Sequence, residues 1–200
     1  RNAFLKKDYS GVARRIITIL YETDNIIYTK QKSVGVRLED LKQRPNRTIS
    51  ALCRWMGIKE TKSLYKMTAQ GKKWWGDPTS VDYMTDGMSP FGKTSINRHV
   101  GFVFSKNDQF IFRTLFHPFM VRFGYIEENL NNFKSDLKEI KPMLKCMFDF
   151  EKNLALQTNV NYNEFMQSGN FLLLRSTLNE RWNALNKFGT YPNMIRPLKI

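Results

Sequence analysis

Cysteine is nearly missing from this sequence: two residues in 200, Cys53 and Cys146, each inside a helically patterned apolar stretch. Two such distant cysteines build no disulfide framework, so both read as small core residues of a protein in a reducing, cytoplasmic setting. Long apolar runs are missing too. No stretch approaches the roughly 18 apolar residues that a membrane-spanning helix needs, and no secretory signal pattern opens the chain. The first residue is Arg1 rather than Met, which reads as a processed product or a fragment without its N-terminal part. Catalytic signatures are equally scarce: there is no G-x-x-x-x-G-K-S/T, no G-x-G-x-x-G and no G-x-S-x-G. The only histidines are His99 and His117, and no cysteine or carboxylate cluster joins them, so no metal site is expected.

Acids are in short supply as well. Against 32 lysines and arginines stand 18 aspartates and glutamates, leaving a formal charge of +14. A field of that sign favours acidic partners: nucleic acid, an anionic surface, or small molecules bearing phosphate or sulfate. The basic residues are spread along the chain rather than gathered on one stripe, which weighs against nucleic acid. What is present in quantity is core material, 42% hydrophobic and 14% aromatic residues, so the chain should fold rather than stay disordered. Its length fits one domain, or one domain with an appendage.

Residues 33–58 show the clearest organisation. Val34, Val36 and Leu38 alternate as a short strand would. Glu39, Asp40 and Leu41 form an acidic turn, and Pro45 opens a helix in which Ile49, Leu52, Cys53 and Met56 fall at i, i+3, i+4 and i+7. Gly57 stands where a left-handed cap is wanted. Strand, turn and helix predict an α/β unit, with Leu38 at the strand's C-terminal end, where such units bind ligands. A lone strand cannot satisfy its own backbone, so its partners must be further strands or come from another sequence.

Helices are predicted over residues 2–24, on a face of Val12, Ile16, Ile19 and Leu20, and from Ser105 onward, with Asp108 completing a capping pair. Pro118 predicts a break near residues 114–117, and His117 beside it reads as a structural histidine. Residues 133–156 should be helical with a break at Pro142. Residues 163–185 should form two helices parted near Gly169 and Asn170, and the tail from Gly189 should be extended. Between residues 69 and 97 glycine and proline interrupt every period; Trp74, Trp75 and Tyr83 there argue for packing rather than disorder. Residues 92–101, GKTSINRHVG, concentrate donors: Lys93, Arg98 and His99 lie between glycines that let backbone approach a phosphate or sulfate.

Four of these stretches, in order, resemble one family. Val36, Arg37, Leu38, Glu39, Asp40 and Leu41, then Pro45, Leu52, Cys53, Met56, Gly57 and Ile58, resemble the R-Y-E-D-L…P…L…F-L-G-L segment of PAPS-dependent sulfotransferases. Gly71, Lys72, Lys73, Trp74, Trp75, Gly76 and Asp77 are similar to the G-K-P-W-W-G loop of bacterial members. Arg98, His99, Val100 and Gly101, then Phe104 and Ser105, are similar to the family's R-K-x-G…F-T block, and Phe123, Gly124 and Tyr125 to its closing G-Y. The likeness covers residues 26–125, about half the chain.

The resemblance implies an α/β fold, the C-terminal part of a P-loop-like three-layer sulfotransferase fold, with this chain itself mostly helical and holding few strands. Residues 1–125 would belong to that domain, and residues 126–200 would be a helical extension packed on it. It implies sulfuryl transfer from 3′-phosphoadenosine 5′-phosphosulfate (PAPS) to a hydroxyl or amine of a small-molecule, carbohydrate or lipid acceptor, without a metal. By the same resemblance Arg98 would grip the 3′-phosphate with the Gly101 backbone close by. His99 stands where lysine is common, and Leu38 takes the place of a tyrosine beside the adenine. Trp74, Trp75 and Tyr83 would wall the acceptor pocket. The family's 5′-phosphosulfate loop and general base have no counterpart here, so no catalytic residue is assigned, and this polypeptide alone should bind nucleotide weakly and turn over nothing. Two other classes stand beside this one: a basic helical nucleic-acid-binding module, and a non-catalytic scaffold of sulfotransferase descent.

Overall fold

Asp8 decides where the first long helix begins. Its side chain accepts a hydrogen bond from the Gly11 amide at 2.9 Å and caps α2, Tyr9–Thr23. Just before it, Lys7 takes a left-handed φ of 56° and turns the chain away from the single-turn helix α1, Asn2–Leu5. The single helix expected over residues 2–24 is thus two, because an aspartate side chain offers the backbone an alternative to the helical ladder. Val12, Ala13, Ile16 and Leu20 are buried, while Ile19 is 55% exposed. The structure, a computed structural model, describes residues 2–66, 68–69, 72–73 and 102–200, with side chains over 3–66 and 102–200.

A short helix α3, Ile27–Lys30, follows, then α4, Leu38–Gln43, and α5, Pro45–Met56. A 3₁₀ turn spans Lys62–Tyr65, and the strands β1, Thr68–Ala69, and β2, Lys72–Lys73, pair antiparallel. The capping pair predicted at Ser105 is fully formed, with Ser105 and Asp108 each accepting from the other's amide at the start of α6, Lys106–Leu115. The predicted break falls at Phe116, after which α7, His117–Arg122, carries Pro118 in its first turn, where a missing N–H costs nothing. Pro142 sits in the last turn of α8, Leu130–Met143. Then come α9, Asp149–Thr158, α10, Tyr162–Gln167, and α11, Gly169–Phe188, whose N-cap is Ser168. The parting predicted near Gly169 is therefore present, and Gly189 at φ 68° closes the last helix before an irregular tail.

The chain divides into two compact units, Arg1–Ser33 with His99–Ile195, and Val34–Arg98 with Arg196–Ile200. In the first, α11 runs beside α2 and α6 packs on α8. Their shared core is built on Leu20, Ile111, Leu115, Ile140, Leu174 and Leu178, all at most 1% exposed. The boundary expected after residue 125 falls inside this unit. One carboxylate ties two of its helices together: Asp108, fully buried, also accepts from the amides of Asp149 at 2.9 Å and Phe150 at 3.0 Å at the head of α9. In the second unit α4 packs on α5, and the chain's end returns to Gly35. The Gly35 amide donates to Arg196 O and the Leu198 amide to Gly35 O, both at 2.8 Å, as one parallel bridge.

The α/β three-layer expectation is overturned. Among the described residues the structure is helical, and strand pairing amounts to the β1–β2 ladder and the Gly35 bridge. The alternation of Val34, Val36 and Leu38 is too short to hold a sheet position. Leu38 instead begins a helix, with Glu39 and Asp40 in its first turn, where the helix dipole favours acids. A second correction concerns cysteine. Cys53 is buried as read, but Cys146 lies in the turn after α8 and is exposed. Among the described residues no helix is long and apolar enough to cross a membrane.

Candidate functional site

Leu38 is the one predicted site residue with a described position. Arg37 precedes it in extended conformation, φ −71° and ψ 129°, and serves as N-cap of α4. Leu38 itself is 48% exposed. Two residues on, Asp40 is only 8% exposed and sits between two guanidinium groups. Arg37 Nε lies 3.6 Å from its carboxylate, and Arg44 donates a charge-assisted hydrogen bond to it. The fully buried Thr48 then locks the two helices, its Oγ1 lying 3.0 Å from both Asp40 O and Arg44 O. Pro45 opens α5 as predicted, and Gly57 at φ 72° closes it. Ser50 on α5 and Tyr65 beyond it both donate to Glu60, which holds its carboxyl below the usual range.

This arrangement presents an apolar side chain beside guanidinium groups whose charge Asp40 partly neutralises. A cleft lined by Val36, Arg37, Asp40, Thr48 and Leu198, but not by Leu38, holds about 10 Å³. That is far below the volume of about 300–1,000 Å³ that small-molecule pockets usually hold.

Arg98, His99 and Gly101, expected at the nucleotide, and Trp74, Trp75 and Tyr83, expected at the acceptor, all lie outside the described residues. The structure therefore tests none of them. The later part of the family-like block is described, and there the residues build the fold. Ser105 Oγ accepts from the Asp108 amide at 3.0 Å and donates to Asp149 at 2.7 Å. Phe123 is buried, Gly124 turns the chain at φ 68°, and Tyr125 is 42% exposed.

Sequence reasoning missed a deeply buried polar cluster. Glu151, with no exposed surface, accepts from the Phe148 amide and from Tyr9 Oη, both at 2.7 Å, and from Arg175. The Arg175 guanidinium lies between the rings of Phe148 and Phe171, 4.1 and 4.4 Å from their centroids. Burial pushes the Glu151 carboxyl up, with Arg175 opposing it; burial and then the Glu151 charge push the Tyr9 hydroxyl far above its ordinary range. Tyr9 and Glu151 are 142 positions apart, so no local spacing announces the pair. Arg175 stands opposite Glu151 as a closed pair, and the cluster reads as a structural polar core. His117 is structural in the same sense: it stacks on Phe133, with centroids 4.4 Å apart, and burial lowers its pKa. Among the described residues no group of His, Cys, Asp or Glu is placed to hold a metal ion.

Comparison with protein-family models, with curated proteins and with solved structures finds no match.

Proposed function

We propose that this chain binds the 3′-phosphoadenosine part of PAPS and contributes the nucleotide-gripping, acceptor-side portion of a sulfotransferase. The observation that carries the reading is the order and spacing of the motif residues from Val36 to Tyr125, above all Arg98, His99, Val100 and Gly101. The reading rests on those residues and not on the helical architecture, which is not the family's layered sheet. It is supported locally at Leu38, where an exposed apolar side chain lies next to Arg37 on a helix pair locked by Asp40 and Thr48. The charge of +14 also suits a doubly phosphorylated nucleotide. In-line attack on sulfur builds charge on the bridging and sulfuryl oxygens, so fixed cations and backbone amides would carry most of the catalysis. Arg98 would bind the 3′-phosphate bidentately, Leu38 would pack on the adenine, and Trp74, Trp75 and Tyr83 would offer flat faces to the acceptor.

Thermal denaturation tests this. Adenosine 3′,5′-bisphosphate should raise the melting temperature in a concentration-dependent way, and AMP, which lacks the 3′-phosphate, should not. Equal shifts with both nucleotides, or none, would remove the reading. The basic charge alone also favours a nucleic-acid-binding module; that reading predicts DNA affinity falling steeply with salt, as counterion release requires.

A further inference from the structure

Two helices of the first unit line one open groove. From α2 come Val12, Arg15, Ile16 and Ile19, at i, i+3, i+4 and i+7; from α6 come Lys106, Gln109, Phe110 and Arg113 at the same spacing. Phe104, Phe112, Phe116 and Met120 wall the rest, all partly exposed. The groove holds about 700 Å³, inside the range of about 300–1,000 Å³ that accepts a small molecule. Among the described residues its lining is apolar apart from Gln109 and three cations. Gln109 is committed, its Nε2 donating to Phe104 O at 2.9 Å. Arg15, Lys106 and Arg113 are exposed. Among the described residues none of the three forms an ion pair, and no carboxylate lines the groove.

Apolar walls and uncompensated cations make different demands of an occupant. A neutral hydrocarbon would satisfy only the walls, and a free inorganic anion only the rim. We propose that this groove binds a single-chain anionic amphiphile, its alkyl chain lying between α2 and α6 and its headgroup held by Arg15, Lys106 and Arg113. The charge complementarity selects the headgroup sign, and the four-position faces of both helices give the tail a continuous track. Nothing in this assignment depends on the nucleotide reading, since it uses none of the residues which that reading places against a ligand.

The test is calorimetric titration of the whole 200-residue chain with decanoate, dodecanoate and tetradecanoate, each below its micellar concentration. One molecule should bind per chain, with affinity rising about fourfold for each methylene added. Dodecyltrimethylammonium, with the same tail and the opposite charge, should bind at least tenfold more weakly. The pair Arg15→Glu and Arg113→Glu should weaken dodecanoate binding at least tenfold. The pair Lys134→Glu and Lys138→Glu, on the exposed side of α8, removes the same charge elsewhere and should change binding less than twofold. Ile19→Asp, at an exposed wall position, should abolish binding while leaving the circular dichroism spectrum unchanged. Unsaturable binding of many molecules, no dependence on tail length, equal losses in the two double variants, or binding retained by Ile19→Asp would each overturn the proposal.

Discussion

A carboxylate and a guanidinium taken out of water must find each other, and Glu151 and Arg175 do so inside the helical core. Replacing Glu151 by Ala leaves the Arg175 charge buried and unpaired, a loss expected to cost about 3–5 kcal/mol in urea unfolding. Tyr9→Phe removes one of the three donors to Glu151 and should cost about 1 kcal/mol in the same measurement. Tyrosines also set an alkaline limit. Burial raises the pKa of Tyr191, whose hydroxyl donates to Leu115 O at 2.8 Å, as it does that of Tyr9, and a hydrogen bond to Glu22 pushes Tyr28 up to about 12. In the unfolded chain these groups ionise near their ordinary value of about 10. Above that pH the unfolded state sheds protons that the folded state keeps, so stability should be intact below about pH 10 and fall as pH rises beyond it. Unfolding midpoints from pH 8 to 11 check the slope, which Tyr191→Phe should make shallower; an unchanged slope would contradict the assignment.

At the scale of elements, caps and breaks were legible because their chemistry is local. Ser105 with Asp108, Pro45, Gly57 and Pro118 each act within about one turn, and each stands in the structure at its predicted place. What was not legible needs partners far along the chain. Asp108 was readable as a cap on α6, but its bonds to the amides of Asp149 and Phe150 span 41 and 42 positions. Asp108→Ala removes the acceptor of three amides, those of Asp149 and Phe150 at α9 and that of Ser105 at the head of α6, and should destabilise the protein by about 3 kcal/mol. Far-ultraviolet melting would show it, and a loss below 1 kcal/mol would mean that water replaces the carboxylate. Gly57→Ala meets no atom within 4 Å, so only its left-handed backbone is penalised, by about 1 kcal/mol. The strand at Val34 failed for the opposite reason. Its period-two signal was real but three residues deep, and the helix-favouring pairs among Arg37, Asp40 and Arg44 at i, i+3 and i+4 lie immediately after it.

For the whole molecule, the sequence pattern foresaw a helical second half but not how the pieces are grouped. The tail's return to Gly35 and the packing of α11 beside α2 join residues from opposite ends of the chain, and hydrophobic periodicity carries no information about such pairing. The candidate site was legible only as a likeness of residues, because Arg98, His99 and Gly101 share no periodic element that would predict their geometry. The proposed function turns on one contact, that of Arg98 with the 3′-phosphate of an adenine nucleotide. Titration calorimetry of the wild type and Arg98→Ala with adenosine 3′,5′-bisphosphate and with AMP tests it most directly. The wild type should prefer the bisphosphate at least tenfold, and Arg98→Ala should lose that preference while its affinity for AMP stays within twofold. A wild type that binds the two nucleotides equally, or an Arg98→Ala variant that keeps the preference, would contradict it.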